Sequence, residues 1–325
     1  MAPTLYRGSR PAKAHTDRAR DWAEIQERML VPLYDAVHER LGVGPGTRLL
    51  ALGCGSGLAL LLAAHRGAAV TGYDTDPARL RLARERLGTL RAHAPTAGPP
   101  HTAGPAYTAG PSHVAGPSRI AEPPHIAEPF RLRPGAPDAT ALRGAGYGVV
   151  TALDPAVPAG ALRPALTAVA ATARKGSAVV LAGWGPPERC AAAAVLRVAA
   201  RLAEPRGGSG PDGTDTEAGT ESDTGADTGP LGSLPRLSGR DDLEDLAAQA
   251  GLRPDGSGRV ACPFGYPDQA AAVRGLLSTG LFDAAVAATD PQQVEKELAE
   301  ALHPYRRPDG AVVMRNVFRY LVARV

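Results

Sequence analysis

The chain has 325 residues and is poor in lysine, cysteine and aromatic side chains. Its only lysines are Lys13, Lys175 and Lys296, so arginine carries nearly all the positive charge. Together with abundant Ala, Gly and Pro, this reads as the codon bias of a GC-rich genome and not as an arginine-rich binding surface. The formal net charge of +3 is nearly balanced for this length, which speaks against a nucleic-acid partner. Cys54, Cys190 and Cys262 are odd in number and far apart, which excludes a disulfide framework and a zinc-ligand cluster and fits a reducing cytoplasm. Aromatics make up 4% of the chain, so alanine must do much of the core filling. Met1 to Lys13 has no apolar stretch of the kind a secretory signal needs. Runs such as Leu58 to Ala64 are too short to span a bilayer, so no membrane partner is expected.

What is present is an alternation of short apolar runs and helical periodicities, interrupted twice. Residues 1–16 read as a loose tail. Asp17 to Leu41 reads as a helix, with Trp22, Ile25, Met29, Leu30, Leu33 and Val37 at three- and four-residue steps and a kink expected at Pro32. Strands are predicted at Arg48–Leu52, Ala69–Tyr73, Phe130–Leu132, Tyr147–Leu153 and Ser177–Trp184. Arg259–Cys262 is a candidate sixth, and an alternating strand over Val312–Val325 closes the chain. Helices are predicted at Ser56–Arg66, from Pro77 to about Leu90, at Ala161–Ala173, Pro187–Leu202, Asp241–Ala250, Pro267–Ser278 and Pro291–Leu302. Asp76-Pro77 supplies an N-cap and a proline at the first helical position.

From 95 to 129 a six-residue repeat begins anew at Pro95, His101, Tyr107, His113, Arg119 and His125. A proline every sixth residue excludes helix and central strand, so a disordered, partly polyproline-II insertion is expected. Its histidines at 101, 113 and 125 lack neighbouring carboxylates or thiols, so no metal site is assigned. A second low-complexity stretch, 205–235, holds six acidic residues among Gly, Ser and Thr and reads as a solvated linker. Outside these stretches, strands alternating with helices imply an α/β fold with a doubly wound, mostly parallel sheet, whose last strand can pair antiparallel.

Chemistry is concentrated where the first strand runs into Gly53-Cys54-Gly55-Ser56-Gly57. Glycines there let the backbone pass close to a ligand at the carboxyl edge of the sheet. Asp74 ends the next strand, where a carboxylate can accept hydrogen bonds from ribose hydroxyls. A dinucleotide site expects its third glycine at position 58, which is leucine here, so a nicotinamide or flavin oxidoreductase is disfavoured.

Arg48 to Leu87, RLLALGCGSGLALLLAAHRGAAVTGYDTDPARLRLARERL, resembles the first two motifs of the class I S-adenosylmethionine-dependent methyltransferases. The later segments AVVLAGWGPPERCAAA and YRRPDGAVVMRNVFRYLVARV resemble an actinobacterial, small-molecule branch of that family. The resemblance implies a Rossmann-like methyltransferase domain over 17–325 and S-adenosyl-L-methionine as cofactor. It makes Gly53, Cys54, Gly55 and Gly57 cofactor-binding, with the methionine moiety near Gly53 to Gly55, the ribose on Asp74 and the adenine near Thr75. It also implies an adenine-amino contact at Asp138-Ala139 and a helical acceptor-pocket insertion over 263–307 that takes a small molecule.

Three features depart from the family pattern, one being that Pro134 to Asp138 fits the usual adenine segment only loosely. Ala51 stands where an acid is usual, and Gly148 replaces the aspartate that usually opens the fourth strand. A diverged, non-catalytic cofactor-binding or scaffold protein of the same fold is therefore the alternative reading. A sulfonium methyl is already activated, so no catalytic residue is forced. His38, His303, Tyr305 and Asp154 are the candidate bases if a proton must be removed.

Overall fold

The computed structural model describes residues 10–92, 130–203, 239 and 241–325. The hexapeptide repeat and the acidic Gly/Ser/Thr stretch lie outside the described residues. Helix α1 (Arg10–Asp21) begins inside the segment read as a tail. The helical path then tightens and loosens: a π-helical turn at Trp22–Gln26 and a 3-10 turn at Glu27–Leu30 precede α2 (Val31–Arg40). The break thus falls upstream of Pro32, which sits harmlessly in the first turn of α2, where its missing N–H has no partner to lose.

Next come β1 (Arg48–Leu52), α3 (Leu58–His65), β2 (Ala69–Asp74) and α4 (Pro77–Ala92). Asp76 caps α4, its Oδ1 accepting from the N–H groups of Ala78 at 2.8 Å and Arg79 at 3.2 Å. The chain continues through β3 (Phe130–Pro134), α5 (Ala139–Leu142), β4 (Val149–Ala152), α6 (Ala159–Thr172), β5 (Ala178–Trp184) and α7 (Ala192–Ala203). It closes with α8 (Asp242–Gln249), β6 (Arg253–Ala261), β7 (Phe264–Tyr266), α9 (Gln269–Ser278), α10 (Asp283–Ala288), α11 (Pro291–Leu302), β8 (Val312–Met314) and β9 (Val317–Arg324).

The main sheet has seven strands in the order β3-β2-β1-β4-β5-β9-β6. β3, β2, β1, β4 and β5 are parallel, and β9 runs antiparallel to both of its neighbours. The expected closing strand is in fact two, because the chain leaves the sheet at Arg315-Asn316: β8 pairs with β7 in a separate two-stranded ribbon. Both sheet faces are covered. One core packs Val180, Trp184, Phe318 and Tyr320 against α2, α7 and the α9–α11 helices; the other packs Val179, Leu181, Leu321 and Ala323 against α6 and α8. The period-2 alternation of β9 is the direct cause of that split. A third cluster under α3 and α4 holds Leu49, Val70, Leu60, Leu80 and Leu87.

Strand order reverses between β2-β1 and β4-β5, so a crevice opens at the carboxyl ends of β1 and β4. Gly72 sets how closely the glycine loop approaches that crevice. A Cβ at Gly72 lies 2.6 Å from Leu60 Cδ1 and 2.8 Å from Cys54 Sγ, inside contact distance. Gly72→Ala is therefore expected to destabilise the fold by about 1–3 kcal/mol through overpacking. Urea unfolding measures it; an unchanged midpoint contradicts this packing.

Candidate functional site

The crevice is a cleft of about 230 Å³. Its walls are the end of β1 (Leu52, Gly53), the end of β2 (Asp74, Thr75, Asp76), the turn after β3 (Gly135–Pro137) and the loop after β4 (Asp154 to Pro158). Ala161, Leu162 and Ala165 of α6 form its apolar floor, and Thr279 after α9 closes one side.

Asp74 is the pivot. It is buried, and its two oxygens each accept a backbone N–H at 2.8 Å: Oδ2 from Gly55 and Oδ1 from Asp76. Burial raises its pKa, while those two hydrogen bonds and the charge of Arg79 pull it back down. The carboxylate thus ties the glycine loop to the start of α4 and still faces the cleft.

Gly53, Gly55 and Gly57 all have left-handed backbone, with φ of 69°, 56° and 82°. Their close neighbours are the protein's own side chains. A Cβ on Gly53 would meet Val157, on Gly55 it would meet Glu27 and Trp22, and on Gly57 it would meet Ala83. Of the loop residues, Gly53 lines the cleft, whereas Cys54, Gly55 and Gly57 do not. Cys54 points into the core beside Gly72, where burial pushes its thiol well above the usual range.

Thr75 lines the cleft, whereas Asp138 and Ala139 are not among its lining residues. Asp138 accepts from the N–H of Ala141 at 2.7 Å and so caps α5; the preceding Gly135–Pro137 turn faces the cleft instead. Ala51 is buried between Gly72 of β2 and Thr151 of β4, and Gly148 lies just before β4 with open space where a Cβ would stand.

Two residues that carry the site give no sequence signal. Glu27 is 1% exposed and sits on the 3-10 turn against the start of α3. Its Oε1 accepts from the N–H of Ser56 at 3.1 Å and of Leu58 at 3.5 Å, and its Oε2 accepts from the Ser56 hydroxyl. Arg86 Nη1 lies 2.6 Å from Glu27 Oε2 and also donates to the Ser56 carbonyl at 3.0 Å, which offsets the buried charge. Arg79 crosses the cleft. It donates to Asp154 Oδ2 at 3.3 Å and to the Ser278 carbonyl at 2.9 Å, approaches Asp76 at 3.7 Å, and lies 4.2 Å over the Trp22 ring.

Of the four candidate bases, Asp154 alone lines the cleft. Burial raises its pKa and Arg79 opposes the rise. Tyr305 donates its hydroxyl to the Ala191 carbonyl at 3.1 Å, and His303 faces a separate shallow depression beside Lys296. His38 is buried in α2, where desolvation and the charge of Arg66 lower its pKa to about 4. Trp22 and Tyr34 are both buried in the core; of the two, Trp22 reaches the glycine loop.

Residues 50–97 match the family model described as a methyltransferase domain. The chain has a Rossmann-like, doubly wound α/β fold with a mostly parallel sheet. Among solved structures, a putative methyltransferase from Bacillus halodurans C-125 is 12% identical over 89% of this chain and 97% of its own, with a TM-score of 0.47. YjhP from E. coli is 16% identical over 94% and 98%, also at a TM-score of 0.47. A SAM-dependent methyltransferase from Geobacter sulfurreducens, solved with S-adenosyl-L-homocysteine, is 16% identical over 91% of each chain at 0.44. No curated protein matches the sequence.

His38 makes acid sensitivity of this fold measurable. Its folded-state pKa lies below the ordinary value of 6.5, so the stability from keeping it neutral is fully present above 6.5 and is lost as pH falls toward about 4. A shift of that size corresponds to about 3 kcal/mol. His38→Phe is expected to flatten the decline in unfolding free energy between pH 7 and 4; an identical decline in variant and parent contradicts a buried neutral imidazole.

Proposed function

We propose that the cleft binds S-adenosylmethionine and that the chain transfers its methyl group to a small organic acceptor. The observation that carries this reading is the buried Asp74 carboxylate, facing the cleft at the end of β2, beside a loop of three left-handed glycines at the topological switch point. The methyltransferase-domain match over residues 50–97 supports it, because that stretch contains both features.

The adenosine half of such a cofactor fits the walls. Asp74 keeps lone pairs beyond its two backbone bonds for ribose hydroxyls. Thr75 and the Gly135–Pro137 turn flank the position for the base, and Leu162 and Ala165 supply an apolar wall. When bound, the cofactor supplies a methyl group on a sulfonium whose leaving group is a neutral thioether. The chain's own task is then to bind, align and exclude water. Val157, Pro158 and Ala161 make the wall next to Asp154 apolar, which suits a small organic acceptor over an extended polymer. Asp154 is the carboxylate placed to hold a proton released by an acceptor hydroxyl or amine, and its raised pKa suits that role. No helix among the described residues is long and apolar enough to cross a membrane, and Cys54, Cys190 and Cys262 are buried and free, which is compatible with work in the cytoplasm.

Titration calorimetry with S-adenosylmethionine, S-adenosylhomocysteine and NAD tests the reading. The first two are expected to bind and NAD is not. Asp74→Asn keeps the shape of the side chain but loses its charge-assisted bonds, so affinity should fall at least about tenfold. Unchanged affinity in that variant removes the ribose assignment, and failure of both S-adenosyl ligands to bind removes the reading.

A further inference from the structure

The amino-acid half of the cleft already holds a cation. Arg79 is the only basic side chain among the described residues that line it, and the same wall carries three carboxylates, Asp74, Asp76 and Asp154. Arg79 spans that wall: one nitrogen reaches Asp154 at 3.3 Å, another the Ser278 carbonyl at 2.9 Å, and a third lies 3.7 Å from Asp76. Asp154 is 6% exposed, and among the described residues its only ion pair is with Arg79. Leaving such a carboxylate buried without a cation is costly, so Arg79 can depart only if another positive charge takes its place.

Three further observations mark this arrangement as provisional. The cleft that remains, about 230 Å³, is below the range of roughly 300–1,000 Å³ usual for pockets that enclose a drug-sized ligand. Trp22, under the guanidinium, is 2% exposed, and its indole N–H has no hydrogen-bond partner although it stands against the glycine loop at Gly55. The helix that delivers Trp22 breaks at that residue into a π-helical turn and then a 3-10 turn, a geometry that marks functional or strained positions.

We propose that Arg79 is a built-in surrogate for the cofactor's sulfonium cation, held in place by Asp154, and that it is displaced from Asp154 and from the face of Trp22 when S-adenosylmethionine binds. The inference rests on the proposed function and deepens it, because it names Asp154 as the group that distinguishes the cationic methyl donor from its neutral thioether product. With sulfonium present, Asp154 remains paired. With the thioether it loses its cation, so return of Arg79 favours release of the product. Arg79 also couples the cleft to the α9 segment through Ser278, so its displacement frees the side of the cleft next to the proposed acceptor.

Calorimetry and fluorescence on the full chain test this. Arg79→Met keeps the apolar stem over Trp22 but removes the competing cation, and is expected to bind S-adenosylmethionine about tenfold tighter than the parent. Asp154→Asn is expected to abolish the parent's preference for S-adenosylmethionine over S-adenosylhomocysteine. In Trp184→Phe, Trp22 is the sole tryptophan, and its emission is expected to shift on saturation with S-adenosylmethionine but not with S-adenosylhomocysteine. Equal or weaker binding by Arg79→Met, an unaltered preference in Asp154→Asn, or silent Trp22 emission while S-adenosylmethionine binds overturns the surrogate and leaves the proposed function standing. Absence of binding to both parent and Arg79→Met overturns the proposed function and the surrogate together.

Discussion

Two buried carboxylates grip the backbone of one loop, and the rest of the site depends on that grip. Asp74 holds the N–H of Gly55 from the β2 side, and Glu27 holds the N–H groups of Ser56 and Leu58 from the helical side. These are donors of a turn and of the open first turn of α3, which otherwise lie buried without partners; each such group costs about 1–3 kcal/mol when unsatisfied. Negative charge at that helix end is also favoured by the α3 dipole. With the loop pinned from both sides, Gly53 is left at the cleft and Gly55 and Gly57 are drawn under Trp22, Glu27 and Ala83.

The glycine pattern was legible, but its physical reason is only partly the one usually inferred. Left-handed φ is required at all three positions, as the spacing suggests. The close approach at Gly55 and Gly57, however, is to the protein's own side chains and not to a ligand's space. The consequence is a cleft that is open beside Asp74 and Thr75 and occupied on its other side by Arg79 stacked on Trp22.

Elements with strong periodicity were readable in advance. β1 and β2 are buried on both faces and so read as continuous apolar runs, and β9 alternates because it separates two cores. β6 was seen only at its end, since Pro254, Asp255, Gly256 and Gly258 are poor strand formers; it forms as an edge strand on β9, with an irregularity between Pro254 and Gly256. β7 is three residues long and exists through pairing with β8, a long-range contact no local pattern encodes. At the site, Asp74 and Thr75 follow from their place at a strand end. Asp138 caps α5, a role that looks the same in sequence as that of a ligand-facing aspartate. Glu27 and Arg79 carry no signal, because each is one charged residue among many on a helical surface until tertiary packing buries it.

Amide hydrogen exchange at the loop tests the two-sided grip most directly. In the parent chain, the N–H groups of Gly55 and Ser56 are expected to exchange as slowly as the flanking β1 strand although they lie in a loop. In Glu27→Gln, protection is expected to fall at Ser56 and Leu58 while that of Gly55, held by Asp74, is kept. Fast exchange at these amides in the parent, or a Glu27→Gln pattern indistinguishable from it, contradicts the claim that these carboxylates hold the loop.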